Sequence, residues 1–192
     1  MNTQKVKMDS LVTEGLQIRC AMNEDTIAEY AEAMKDGAMF PPIIVFEEVK
    51  KGKGGKPKSC FYLADGYHRV AAKKELGETE IEAEVREGGF NEALRFALRA
   101  NVSHGLRRTN ADKRHALEVA WQNRNAIFKR FLGQDKDRQP NGLPSSTQLG
   151  EATGTTQRYA SGFIKEQLSA ANQGTDGDEE NAAEPESVKA NL

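Results

Sequence analysis

The chain has 192 residues, 38% hydrophobic and 29% charged, with a formal net charge of −2. That length suffices for one core with an appendage, and no stretch nears the roughly 18 uninterrupted apolar residues of a membrane span. Met1–Lys5 holds no apolar signal segment, and Cys20 and Cys60 have no second Cys/His pair at zinc spacing, so a cytoplasmic protein with free thiols, no membrane partner and no structural metal is expected.

Leu16 and Ile18 alternate within Leu11–Arg19 as in a short strand. Asn23 can cap a helix from about Glu24 to Lys35. Its inward face is Ile27, Tyr30, Ala31 and Met34, and Gly37 ends it. Phe40-Pro41-Pro42 breaks that helix and leads into Ile43–Phe46, a buried strand. The glycine- and lysine-rich stretch Lys50–Lys58 reads as a hairpin loop, from which Cys60–Ala64 returns antiparallel. Asp65-Gly66 turns into a helix that stops at Gly77. Along Glu80–Arg86, Ile81, Ala83 and Val85 alternate with charged residues, a half-exposed strand. Asn91 can cap a helix through Ala100 with Leu94, Ala97 and Leu98 inward. After a polar loop, Asn110 caps a long helix to about Leu132, striped by Leu117, Ala120, Trp121, Ile127, Phe128 and Phe131. Gly133–Ser145 reads as a linker, 145–167 as a compact helical unit, and 170–192 as a disordered acidic tail with too few apolar groups to offset chain entropy.

Charge is unevenly distributed. Residues 1–98 carry 14 Lys/Arg against 17 Asp/Glu, residues 99–165 carry 12 against 5, and residues 166–192 carry 1 against 7. A basic middle with an acidic end is a nucleic-acid footprint with a tail able to mask it. Three solvated surfaces that average out are the plain alternative.

Two stretches carry chemistry. Gly66-Tyr67-His68-Arg69 joins a strand to a helix, where free backbone N–H groups and the positive end of the helix dipole suit a phosphate. Arg69 adds a forked donor. An ordinary surface pair at a helix start is the alternative. Asp65 reads as a turn-stabilising residue. His104 and His115 lack ligand partners at metal spacing and read as loop and helix-surface residues. Further on, Ser146 can cap a short helix, Thr153-Gly154-Thr155 turns the chain, and a second helix runs from about Thr156 to Gln167. This looks like a helix-turn-helix, with Thr155, Thr156, Gln157, Arg158, Ser161 and Lys165 facing DNA; a plain helical hairpin is the alternative.

The stretches Tyr30–Gly37, Phe40–Phe46, Leu63–Ala72 and Asn101–Arg114, in that order, make residues 19–125 resemble the ParB N-terminal domain of the ParB/sulfiredoxin-like superfamily. Stand-alone members of this type are common on phages, plasmids and other mobile elements. The resemblance implies an α+β fold, a small mixed sheet with packed helices followed by an all-α helix-turn-helix region. It divides the chain into a nucleotide-binding domain over 1–109, a helical DNA-binding region over 110–169 and the tail. It implies that Asp65, Gly66, His68 and Arg69 bind nucleotide phosphates, joined by Asn101, Arg107 and Arg108 from the second ParB motif. The nucleotide would be CTP or ATP, with or without Mg2+, because Ala100 stands where ParB has a metal-holding Glu. Tyr67 replaces the reactive cysteine of sulfiredoxin, which argues against that redox chemistry. The expected function is duplex-DNA binding coupled to nucleotide binding, in partition or transcriptional regulation. Alternatives on the same fold are an NTP-hydrolysing nuclease, a small-molecule kinase, in which Asp65 would be the base for the acceptor hydroxyl, or a protein that interferes with a partner complex. The resemblance also allows a homodimer. No segment matching the C-terminal dimerisation domain or the ATPase-stimulating arm of full partition ParBs is visible, so a shorter relative is expected.

Overall fold

The computed structural model describes residues 3–51, 56–100, 108–128 and 143–173. Thr3–Lys7 (β1), Leu11–Val12 (β2), Ile43–Lys51 (β3), Pro57–Asp65 (β4) and Glu80–Glu87 (β5) form one mixed sheet in the order β1-β5-β3-β4-β2. β3 and β4 are the expected antiparallel pair, with Val45 opposite Leu63 and Phe46 opposite Tyr62. β3 runs parallel to β5, and β1 pairs antiparallel with the free edge of β5. Strand alternation then sorts the side chains by face. Ile43, Val45, Leu63, Ile81 and Ala83 point to one side with Val6, Met8 and Val70. Phe46, Tyr62 and Ala64 point to the other, against Leu94, Ala97 and Leu98.

Helices cover both faces. Glu24–Lys35 (α1) starts where the Asn23 carboxamide accepts the Thr26 N–H, and packs Ile27 and Ala31 against Ala72 of Tyr67–Glu75 (α2). Phe90–Arg99 (α3) carries a sharply one-sided apolar stripe and lies on the opposite face of the sheet. The single long helix expected after Asn110 is two: Asn110–Gln122 (α4) ends at Asn123, and Arg124–Phe128 (α5) follows. The Asn123 carboxamide donates to the Val119 carbonyl at the break, which satisfies one of the carbonyls a helix end exposes. Ser146–Thr153 (α6) and Gln157–Gln173 (α7) form a two-helix unit joined by Gly154, at φ 64°.

This unit shares one apolar cluster with the sheet. Leu149 of α6 and Ala160 and Phe163 of α7 belong to the same core as Leu117, Leu98 and Phe46. Across the surface above it, Arg114 of α4 grips Glu166 of α7 with two guanidinium bonds of 2.7 and 2.6 Å and lies over the Phe163 ring.

The sequence reading departs from the structure at the start of the chain. β1 was not expected, because only Val6 of its five residues is buried. Leu16 and Ile18 lie in irregular backbone rather than a strand, yet both are buried in the main core. Of the acidic tail, 170–173 continue α7 beyond its expected end near 167, and 174–192 lie outside the described residues.

Candidate nucleotide site and the helices beside it

The junction between β4 and α2 is shaped by Gly66. Its φ of 107° is left-handed, and a Cβ there would lie 2.5 Å from Cγ2 of the fully buried Ile43. Glycine is therefore required both by backbone conformation and by close packing on β3. α2 has no side-chain cap, whereas Asn23, Thr109 and Ser145 cap α1, α4 and α6. The first α2 hydrogen bond runs from Val70 N–H to the Gly66 carbonyl, so the N–H groups of Tyr67, His68 and Arg69 have no acceptor within the helix.

The side chains of this turn are tightly engaged. Arg69 pairs with Asp65 at 2.9 Å and donates to the carbonyls of Pro41 and Pro42 at 2.5 and 2.8 Å. It fastens the extended entry to β3 onto α2, and a phosphate reaching it must share its donors. Asp65 is thereby an orienting partner for Arg69. His68 Nε2 accepts the Asn23 N–H at 3.2 Å, so a neutral ring carries its proton on Nδ1. Burial, reinforced by the charge of Arg19, holds His68 below its ordinary pKa. Tyr67 is mostly enclosed and donates to the Leu63 carbonyl at 3.1 Å; burial, then Asp65, pushes its phenol well above the usual range.

These residues form one wall of a cleft of about 120 Å³. Opposite stands the segment Leu16–Arg19 with Met22, Tyr30 of α1, and Ala97 and Ala100 at the end of α3. Arg19, Arg69 and Arg108 all line it, against one carboxylate among the described lining residues, Asp65. Sites that enclose a whole drug-sized ligand typically measure ~300–1,000 Å³. A cleft of this size holds a small group rather than a whole ligand of that kind. With Asp65 committed to Arg69 and Ala100 carrying no carboxylate, the described cleft offers no evident ligand for Mg2+. Among the described residues, no cluster of three His, Cys, Asp or Glu side chains could hold a metal ion. Of the expected second motif, Asn101 and Arg107 lie outside the described residues, as does His104, while Ala100 and Arg108 on either side both line the cleft.

Residues 1–102 match the ParB N-terminal domain family. The chain belongs to that family. A streptomycin biosynthesis operon "possible regulatory protein" of Streptomyces griseus is 38% identical over 97 residues, which is 50% of this chain and 25% of that protein. The chain thus spans only a quarter of this curated relative. Among solved structures, a pNOB8-like ParB N-domain superposes with a TM-score of 0.51 at 13% identity, covering 83% of this chain and 66% of the other. The C-terminally truncated chromosome-partitioning protein ParB of Caulobacter crescentus, complexed with CTP-gamma-S, gives 0.43 at 15% identity, with 83% and 75% covered.

Two residues tie this ParB N-terminal domain to the helices that follow. Arg108 Nη2 donates to the carbonyls of Ala97, Leu98 and Ala100 at 3.2, 2.8 and 2.8 Å, gathering the C-terminal end of α3. Its Nη1 donates to the carbonyl of Thr153, the last residue of α6, at 2.8 Å. Asp112 of α4 is buried and accepts the N–H groups of Thr109 and Cys20 at 2.9 and 3.0 Å, with Arg19 at 3.9 Å. It holds the Arg19-bearing wall of the cleft against α4.

In the α6–α7 unit the six expected DNA-facing residues divide. The Thr155 hydroxyl lies 2.9 Å from that of buried Thr153, and the Thr156 hydroxyl accepts the Tyr159 N–H at the start of α7. Both shape the turn. Gln157, Arg158 and Lys165 are exposed and Ser161 is half-buried, and helical spacing places them on one face with the exposed Gly162 at its edge.

Sequence reasoning missed Leu16, Gln17, Arg19, Met22 and Tyr30 as cleft residues, and it missed Asp112. Nothing in their local pattern marks them. Only the fold brings residues 16–22 opposite residues 65–69.

Proposed function

We propose that this ParB-family chain binds duplex DNA through α7 and binds a nucleotide, CTP or ATP, by its phosphates in the cleft at the start of α2. The observation that carries the reading is the meeting of Arg19, Arg69 and Arg108 at an α-helix N-terminus without a side-chain cap. Three cations and one paired carboxylate leave the cleft strongly favourable to an anion, and the helix dipole acts in the same direction. Within it, the backbone N–H groups of α2 and His68 Nδ1–H would donate to phosphate oxygens, and Arg19 and Arg108 would supply charge. The half-enclosed Met22 and Tyr30 supply apolar surface at the same cleft. On α7, Gln157 and Arg158 would read base edges and Lys165 would contact phosphate, as in the second helix of a helix-turn-helix. The role that fits is partition or transcriptional regulation.

Calorimetry with CTP, ATP, GTP and UTP, each with and without duplex DNA, tests the reading. One nucleotide is expected to bind, and Arg69→Ala to abolish its heat. Duplex binding is expected to fall steeply with salt, with Lys165→Ala lowering the slope of log K against log salt by about 1 and Arg158→Ala costing about 1–3 kcal/mol of specific binding. No heat with any nucleotide, together with no duplex binding at low salt, would reject the proposal.

A further inference from the structure

We infer that the acidic segment 174–192 docks on the exposed face of α7 and competes there with duplex DNA. The inference rests on the DNA reading above and names the regulation of that face: a competitor carried by the same chain.

The charges of α7 are sorted by side. With 3.6 residues per turn, Gln157, Arg158, Ser161, Lys165, Leu168 and Asn172 fall in one stripe spanning roughly a third of the circumference. Arg158 and Lys165 are exposed and are its only charges, and beyond Lys165 the stripe runs uncharged to the end of the helix. Glu166, the one carboxylate of α7, belongs to another side, where it holds Arg114 at 2.6 Å. Arg114 is thereby neutralised, with Glu118 as a second partner at 2.9 Å. Among the described residues, Arg158 and Lys165 have no such partner.

The segment that follows α7 has the complementary charge. It carries Asp176, Asp178, Glu179, Glu180, Glu184 and Glu186 against Lys189, with no aromatic residue. Charge rather than packing is what it can offer a surface. It also starts where the stripe ends. At about 1.5 Å per residue, Lys165 lies about 12 Å and Arg158 about 22 Å back along α7 from Gln173. Extended chain covers roughly 3.3 Å per residue, so Asp178 can reach about 16 Å and Glu180 about 23 Å from Gln173, and Glu184 and Glu186 reach further. Both cations are thus within range of the acidic run, and a tether this short holds a local concentration on the order of millimolar. The carboxylates then occupy the groups that DNA would contact, and duplex must displace them. Two exposed ion pairs of ordinary strength correspond to a loss of roughly 2- to 30-fold in duplex affinity. Salt screens the contact, since the Debye length is about 8 Å at physiological ionic strength.

The test compares the full chain with a variant carrying Asp176→Asn, Asp178→Asn, Glu179→Gln, Glu180→Gln, Glu184→Gln and Glu186→Gln. Affinity for a mixed-sequence duplex is measured from low to high salt, and backbone amide NMR spectra of both proteins are recorded without DNA. The variant is expected to bind duplex roughly 2- to 30-fold more tightly at low salt. Its slope of log K against log salt should be steeper, because the wild type exchanges one set of ion pairs for another. Amides of 157–169 should differ between the two proteins at low salt and converge at high salt, and the difference should survive dilution of the protein. The triple variant Asp178→Asn, Glu179→Gln, Glu180→Gln should fall between. Equal duplex affinities overturn the inference and leave the DNA reading standing. A tighter-binding variant whose α7 amides match those of the wild type also overturns it, since the effect is then general repulsion between the segment and duplex. Amide differences lost on dilution overturn it in favour of contact with a second copy. Binding of duplex by neither protein rejects the DNA reading and the competition together. If the sixfold variant does not fold, the triple variant decides by the same readings.

Discussion

The Asp112 carboxylate accepts the backbone N–H of Cys20, 92 residues earlier, at 3.0 Å. The same carboxylate accepts the Thr109 N–H and stands near Arg19, so one buried side chain joins the wall of the cleft to the first turn of α4. Burial alone would raise its pKa. The N–H groups of Thr109 and Cys20, the Thr109 side chain and Arg19 outweigh burial and hold it below the ordinary range. Asp112→Asn removes the charge and one of the two acceptors, and should cost about 1–3 kcal/mol in urea unfolding at neutral pH. The stability contributed by the lowered pKa is complete above the unfolded value of about 3.9 and is lost as pH falls through the lower folded value. The gap between wild type and Asp112→Asn should therefore close in that acidic window. A gap that persists at pH 2 would show that ionisation of Asp112 has no part in it.

His68 behaves with the same sign in a different window. Its folded pKa is lowered by burial and then by Arg19, and its Nε2 must stay unprotonated to accept the Asn23 N–H. Its contribution is full above about pH 6.5 and is lost as pH falls through the lowered value. NMR should find His68 titrating below about 6.5. His68→Gln should flatten the decline in stability between neutral and mildly acidic pH, and an unchanged decline would count against this role.

Gly66→Ala places a methyl against Ile43 and forces a left-handed φ on a residue with a Cβ. The expected cost is about 1–3 kcal/mol. Thermal unfolding measures the cost, and calorimetry should show nucleotide binding weakened. A variant as stable as wild type would contradict the packing described for this turn.

Gly162 is the opposite case. It sits on the exposed face of α7, and a Cβ there would meet nothing within 4 Å. Gly162→Ala should stabilise α7 by roughly 1 kcal/mol. For a chain of this length that raises Tm by about 2–4 °C. If this face meets DNA, the same variant should bind duplex less tightly despite its higher Tm, a pairing that a plain helical hairpin would not produce.

Much of the fold is written locally. α1 begins at Asn23 and ends at Lys35 as its cap and 3.6-residue pattern require, and the pairing of β3 with β4 follows from two apolar runs around a glycine- and lysine-rich loop. β1 was not legible, because a polar edge strand forms only when a neighbour offers its ladder, and β5 does. Leu16 and Ile18 showed their burial in the sequence but not their conformation, since a core admits irregular backbone that a two-residue period cannot distinguish from a strand.

The family, the pairing of β3 with β4 and the strand-to-helix turn at Gly66 were legible in the chain, because each rests on near neighbours in the sequence. Tertiary structure decided what the arginines do. Arg69 fastens the Pro41-Pro42 entry as well as facing the cleft, Arg19 is carried there by the Asp112 bond, and Arg108 spans α3 and α6. A guanidinium reaches several acceptors at once, and which ones it meets depends on chain segments dozens of residues apart.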